Sequence, residues 1–437
     1  MLVVAVCIAL AIAQPSYGYS VLAHEAIVDA LWDVNFKPVL LARFPNATPE
    51  QLKEAHGYAY GGAIIQDLGY YPHSNTRFSD LTHYVRTGDF IAALIKESQN
   101  LNEFAFALGA LSHYVSDIDG HRLATNPGEP MLYPELKRKY GDVITYEDNP
   151  AGHLKTEFGF DVLEIAKGNF APQAYHDFIG FNVATPVLER AFRDTYGLEL
   201  KDLFGNFDRT LGSYRRAVSK TLPKATRIAW AARKDDIEKL QPGVTRARFL
   251  YVMKRSSYER EWGKQYDHPS AHERMLAALL KLLPPIGPLK ALRFKVPTPQ
   301  VENLFTRSFD RSIAQYRGTV NAATVNTLHL ENTNYDVGVI TPAGVYKLSD
   351  DTHAYWLNLL AQKSFGTVTA PIAGELLGYY GNLNAPLHTK QHPKDWKRLL
   401  AQLDELKTQR HTALAGGNPS SSGSHGTGTA VAPSLAP

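Results

Sequence analysis

The stretch "HYVSDIDGH", residues 113–121, places a histidine, an aspartate and a histidine at steps of four residues. Four residues advance an α-helix by about 400°, so His113, Asp117 and His121 would lie on one helical face. The preceding segment "NEFAFALGALS" is apolar enough to form a buried helix, which places this polar stripe inside the fold. Buried imidazoles and carboxylates require partners, and a divalent metal ion is one that they can share. The stretch therefore favours a helical fold around a metal site.

Most of the chain after the first twenty residues has the three-to-four spacing of apolar residues that predicts helices. Examples are "LAHEAIVDALWDV", "AGHLKTEFGFDVLEIAKG", "AHERMLAALLKLL" and "TPQVENLFTRSFDRSIAQY". Asn149 and Thr298, each followed by proline, and Asp351 are candidate helix N-caps. Alternating patterns are scarce, although "DVGVITPAGVYKL" could supply a small hairpin. The sequence predicts an all-α fold.

The first residues resemble an export signal. Residues 1–18 hold a short uncharged apolar run followed by small and turn-forming residues, and cleavage after Ala13 or Gly18 fits the small-x-small rule. An ordinary N-terminal buried helix is the alternative. Cys7, the single cysteine, lies inside this segment, so the mature protein would have no disulfide. Core packing or metal must then supply its stability.

Composition divides the rest of the 437-residue chain. The Pro-rich passage 283–300 is the best internal boundary, which predicts a first domain over residues 19–285 and a helical C-terminal region over 286–413. That region could be a separate unit or further helices packed on the first domain. Residues 414–437, rich in Gly, Ser, Pro and Ala, are predicted to be disordered. The formal charge of +3, without a concentrated basic patch, does not indicate a dedicated nucleic-acid binder.

Further metal-ligand residues precede and follow the first stripe. His153 and Glu157 form a second four-residue pair, and His24, Asp67 and His83 lie among apolar neighbours. Together with the stripe they make three carboxylates and five imidazoles with no thiolate, a set that suits zinc, with manganese or iron possible. The set exceeds one tetrahedral site, so two or three ions are expected. Clustered ions are suited to the hydrolysis of phosphate esters.

The order of these eight residues resembles the zinc-dependent phospholipase C superfamily, which also contains fungal single-strand nucleases and the N-terminal domain of glycosylphosphatidylinositol-specific phospholipase D. The resemblance covers roughly residues 19 to 165. The short gap from Asp117 to His121 is similar to the phospholipase D branch and its bacterial relatives. The resemblance implies that residues 19–285 form a catalytic multi-helix bundle around a trinuclear zinc site.

The resemblance also implies a role for each residue. One zinc would be held by Asp67, His83, His113 and Asp117, a second by His121, His153 and Glu157, and a third by His24, a bridging Asp117 and the terminal amine and carbonyl of Tyr19, exposed by cleavage after Gly18. Hydroxide held between two ions would attack phosphorus, with Asp67 orienting it or acting as general base.

The sequence thus predicts a secreted or periplasmic zinc phosphodiesterase that hydrolyses phospholipids, with transient membrane-surface contact and no obligate protein partner. Two alternatives remain open. A single-strand nuclease or nucleotidase would cleave nucleic acid rather than phosphatidylcholine. A non-catalytic zinc-stabilised binding protein would load zinc without turning over either substrate.

Overall fold

The helix-favouring segments form sixteen α-helices in the computed structural model, which describes residues 21–167, 181–240, 294–324 and 328–416. They are α1 (Val21–Leu31), α2 (Lys37–Arg43), α3 (Pro49–Gly62), α4 (Thr76–Tyr84), α5 (Thr87–Glu97), α6 (Leu101–Gly120), α7 (Asn126–Leu132), α8 (Pro134–Tyr140), α9 (Pro150–Ala166), α10 (Thr185–Tyr196), α11 (Phe207–Arg216), α12 (Leu222–Leu240), α13 (Pro299–Thr324), α14 (Lys347–Gln362), α15 (Ala370–Tyr379) and α16 (Pro393–Gly416). The possible hairpin is reduced to a bridge between Asn334 and Val339, the one strand-type pairing in these residues. The all-α prediction is confirmed.

Two of the three predicted caps precede helices. Asn149 stands directly before α9, and Thr298 stands directly before α13, where its Oγ1 accepts a hydrogen bond from the Val301 N–H at 3.4 Å.

The cap predicted at Asp351 is wrong, because α14 begins at Lys347 and Asp351 lies inside it. The reason is a long-range contact: the Leu348 N–H at the start of α14 donates to the Glu147 carboxylate at 3.1 Å. A side chain distant in sequence thus satisfies an end of the helix that local sequence does not cap.

The central helix α6 packs unusually close to α3. A Cβ on Gly109 of α6 would overlap the carbonyl oxygen of Ala59, and one on Gly62 of α3 would overlap that of Phe106. Glycine is required at both positions so that the two backbones can meet. The close approach brings the end of α3 beside the His113 side chain, whose Nδ1 lies 2.9 Å from the Ala63 carbonyl oxygen.

The C-terminal helices pack on the same core. Val301 and Tyr316 of α13 are fully buried in one hydrophobic cluster with residues of α1, α3 and α6. The Tyr316 hydroxyl donates to the Leu108 carbonyl of α6 at 3.2 Å, and Trp356 Nε1 donates to the Tyr196 carbonyl at 2.7 Å. Of the two arrangements left open for the C-terminal region, the structure has helices packed on the first domain.

Several predictions lie outside the described residues: the export signal with Tyr19, the helix predicted in "AHERMLAALLKLL", and the tail from residue 417. Among the helices that are described, none has the length and apolar character needed to cross a membrane.

Candidate metal centre

The four-residue stripe lies at the end of α6. His113 and Asp117 are fully buried, and His121 is 4% exposed. The backbone does not stop at Gly120, because a π-helical turn, His121–Thr125, continues it into α7. Such turns place an extra residue in the helix and are frequent at functional sites. The stripe therefore faces the interior on a continuous helical backbone.

Asp117 lies at the middle of the site. Its Oδ1 is 3.5 Å from His24 Nε2 and 3.8 Å from His121 Nε2, while its Oδ2 is 3.5 Å from the Nε2 atoms of His83 and His113. Burial alone would raise the pKa of Asp117, but the surrounding imidazoles, led by His121 and His113, outweigh burial and hold that pKa well below its ordinary value. Asp117 is thus an ionised carboxylate shared by four histidines, as a bridging ligand must be.

Three histidine rings are anchored through Nδ1. Each Nδ1 contacts an oxygen on its own side of the site, which leaves Nε2 facing the carboxylates. This is how proteins fix the tautomer of an imidazole that binds metal through its other nitrogen. The contacts are His24 Nδ1 to Ser116 Oγ at 3.0 Å, His83 Nδ1 to the Ser79 carbonyl oxygen at 2.8 Å, and His113 Nδ1 to the Ala63 carbonyl oxygen at 2.9 Å.

Asp67 joins this side of the site from a 3₁₀ turn, Ile65–Tyr70. It is fully buried, its Oδ1 lies 3.3 Å from His83 Nε2, and neither oxygen has a hydrogen-bond partner in the described part of the chain. Burial would lower the pKa of His83, but the carboxylates of Asp117 and Asp67 outweigh it and raise that pKa to about 10. We call Asp67, His83 and His113 the Asp67 cluster.

His121 faces a second set of donors on α9. Glu157 Oε1 lies 3.4 Å from His121 Nε2 and 2.7 Å from His153 Nε2. Burial, followed by nearby carboxylates such as Asp117, raises the pKa of Glu157 well above its ordinary value, and burial with neighbouring His121 lowers that of His153. Both ring nitrogens of His121 and of His153, and both carboxylate oxygens of Glu157, lack a hydrogen bond of good geometry among the described residues.

A further carboxylate, not predicted from the sequence, completes this side. Asp336 lies between α13 and α14, is 1% exposed, and has its Oδ1 3.7 Å from His121 Nδ1. It begins the segment interpreted as a possible hairpin and has no helical four-residue step, so spacing gave no signal for it. We call His121, His153, Glu157 and Asp336 the His121 cluster.

The donor set fits zinc. Ligand-type atoms lie within 4.8 Å of one another in three groups: His24, His113 and Asp117; Asp67, His83 and His113; and His121, His153 and Asp336. Buried nitrogen and oxygen atoms that lack hydrogen-bond partners are costly unless a cation binds them. The structure brings together all eight donors predicted from the sequence. The backbone ligands expected from Tyr19 lie outside the described residues and stay a prediction.

Comparison with known proteins gives one match. Residues 23–206 match the family model of zinc dependent phospholipase C, a segment that contains the eight predicted donors but not Asp336. Comparisons with curated proteins and with solved structures gave no match. Closer kinship with the phospholipase D branch stays a prediction. Residues 23–206 of this chain are thus similar to zinc dependent phospholipase C.

Proposed function

We propose that this protein is an exported zinc-dependent phosphoric ester hydrolase that cleaves phospholipids. The observation that carries the proposal is the buried set of eight nitrogen- and oxygen-donor residues, Asp117 among them, within the segment that matches zinc dependent phospholipase C. The four-residue gap from Asp117 to His121, similar to the phospholipase D branch, favours lipid over nucleic acid.

The chain's own residues prepare the site for phosphoester hydrolysis. Zinc held here would act as a Lewis acid on phosphoryl oxygens and lower the pKa of a bound water. Because the Nδ1 atoms of His83 and His113 are already occupied, their Nε2 atoms stay aimed inward without rearrangement. Asp67, buried and without a hydrogen-bond partner among the described residues, can orient the attacking water or take its proton.

Aromatic side chains border both clusters. The ring of Tyr70 lies 5.9 Å from that of His83 and 6.4 Å from that of Tyr146, which in turn lies 5.6 Å from that of His153. We place these two tyrosines at the wall against which the organic part of a substrate would lie. Aromatic rings combine an apolar face with a polar tip, which suits contact with a lipid headgroup and its glycerol.

The proposal is tested by a substrate panel. The zinc-loaded protein is incubated with phosphatidylcholine vesicles and, separately, with single-stranded oligonucleotides, and phosphate-ester products are quantified with and without a chelator. Chelator-sensitive lipid hydrolysis is expected. Oligonucleotide cleavage without lipid hydrolysis would show a nuclease, and full zinc loading with no turnover on either substrate would show a binding protein.

A further inference from the structure

The loop before α14 is fixed against the metal centre by a series of hydrogen bonds. Residues 331–336, "ENTNYD", contact α4, α5, α6 and α7, and most of the bonds involve backbone atoms of the segment. They are Tyr114 hydroxyl to Glu331 O at 2.8 Å, Asp89 N–H to Asn332 Oδ1 at 3.0 Å, Thr87 Oγ1 to Thr333 O at 2.8 Å, Tyr335 N–H to His83 O at 3.1 Å, and Asn126 Nδ2 to Asp336 O at 2.6 Å. The segment is therefore held in place beside both clusters.

The carboxylate of Asp336 uses its two oxygens differently. Oδ2 accepts hydrogen bonds from the Tyr146 N–H at 2.9 Å and from the Tyr346 hydroxyl. Oδ1 has no hydrogen-bond partner among the described residues, although it is buried, and it points toward the His121 ring. One oxygen held by protein donors and one aimed at imidazoles is the arrangement of a carboxylate that binds a cation through a single oxygen.

We propose that Asp336 is a carboxylate ligand of the ion bound by His121 and His153, so that the C-terminal region completes the metal centre. Ligand-type atoms of His121, His153 and Asp336 lie within 4.8 Å of one another, so these residues can supply the three protein donors with which a catalytic zinc keeps its fourth position open. Asp336 lies 130 positions beyond residue 206, the end of the segment that matches the family model (336 − 206). The inference rests on the zinc centre of the proposed function but not on its substrate.

The test measures metal binding rather than hydrolysis. The full-length protein is stripped of metal, and zinc affinity is measured by competition with a chromophoric chelator for the wild type, Asp336→Asn and Asp350→Asn. Asp350 is a matched control, because it is also buried in the C-terminal region but its oxygens accept from the Gly344 N–H at 2.9 Å and the His388 N–H at 2.8 Å. We expect Asp336→Asn to weaken one ion by about 10- to 100-fold, and Asp350→Asn to leave all ions unchanged.

Cobalt supplies a readout of coordination itself. At saturating Co²⁺, Asp336→Asn should change the visible absorption of one ion, whereas Asp350→Asn should give the wild-type spectrum. Wild-type affinity in folded Asp336→Asn would overturn the inference. Weaker binding with an unchanged spectrum would also overturn it, since Asp336 would then only accept a hydrogen bond from the His121 ring.

Two further outcomes are distinguishable. If Asp336→Asn does not fold, Tyr346→Phe removes the hydroxyl that holds Oδ2, and a smaller loss at the same single ion is expected; no loss would contradict the inference. If the wild type itself binds no zinc, the proposed function fails as well. If the wild type binds zinc and hydrolyses lipid while Asp336→Asn binds every ion normally, only this inference fails.

Discussion

The two clusters of the metal centre differ in what holds their imidazoles. In the Asp67 cluster, His83 and His113 rest on backbone carbonyl oxygens of α4 and of the residue following α3. In the His121 cluster, no ring nitrogen has a hydrogen-bond partner among the described residues, and the nearby Asp336 comes from beyond α13. All members of the Asp67 cluster lie in the segment that matches the family model, whereas the His121 cluster also contains Asp336 from the C-terminal region.

Replacing Asp117 should erase this difference, because Asp117 contacts histidines of both clusters. Asp117→Asn removes the shared charge, so we expect loss of more than one zinc and a fall in activity on the order of 10²- to 10³-fold. Zinc content and lipid hydrolysis are measured together. Asp119→Asn is the control, since this buried aspartate of the same helix faces Arg311 Nε at 3.3 Å instead. Full zinc content and activity in Asp117→Asn would show that the assignment is wrong.

The side of the His121 cluster also carries Glu129, a buried acid whose Oε1 accepts from Asn149 Nδ2 at 2.7 Å. Burial raises the pKa of Glu129 from 4.5 to about 8. Between these values the folded chain keeps a proton that the unfolded chain releases, so the free energy of unfolding should fall as pH rises from about 4.5 to about 8 and stay level above.

Glu129→Gln cannot lose a proton and should remove that slope. In metal-free protein, the free energy of unfolding of Glu129→Gln minus that of the wild type should rise by about a few kcal/mol from pH 5 to pH 9. Urea titrations at a series of pH values measure this difference. A difference that does not change with pH would place Glu129 in a more polar environment than the structure gives it.

Opening the contact between α3 and α6 should damage the Asp67 cluster first. A methyl group at Gly109 would overlap the Ala59 backbone, so Gly109→Ala should lower the free energy of unfolding by about 3 kcal/mol. It should also displace His113, which lies one helical turn after Gly109 on α6. The matched control is Gly212→Ala, because a Cβ on Gly212 meets nothing within 4 Å and should be neutral or stabilising. Unfolding midpoints of the two variants measure the contrast, and equal stability would contradict the packing.

A change at Gly338 should act on the His121 cluster alone. Gly338 has a φ of 70°, and its added Cβ would lie 2.8 Å from Arg122 Cδ, so Gly338→Ala should cost about 1–2 kcal/mol and shift Asp336. Gly141→Ala is the control, because Gly141 also has a positive φ, 97°, but an added Cβ there would meet nothing within 4 Å and would not move Asp336. Zinc affinity should fall in Gly338→Ala but not in Gly141→Ala. Equal zinc affinity in the two variants would show that Asp336 does not bind the ion.

The sequence predicted the local part of this site and missed its long-range part. His113, Asp117 and His121 could be found because a helix converts four-residue spacing into one face, and the same holds for His153 and Glu157. Asp336 could not, since its position depends on hydrogen bonds from helices more than 200 residues earlier in the chain, such as that from Asn126. The wrong cap at Asp351 has the same origin, because Glu147 acts across a large sequence separation.

Native mass spectrometry of the zinc-loaded protein tests the central claim most directly, since it gives the metal count and the N-terminus from one mass. We predict three zinc ions per chain and a first residue at Tyr19, with all ions released by chelator. A chain that carries no zinc or a single ion would contradict a centre built from both clusters.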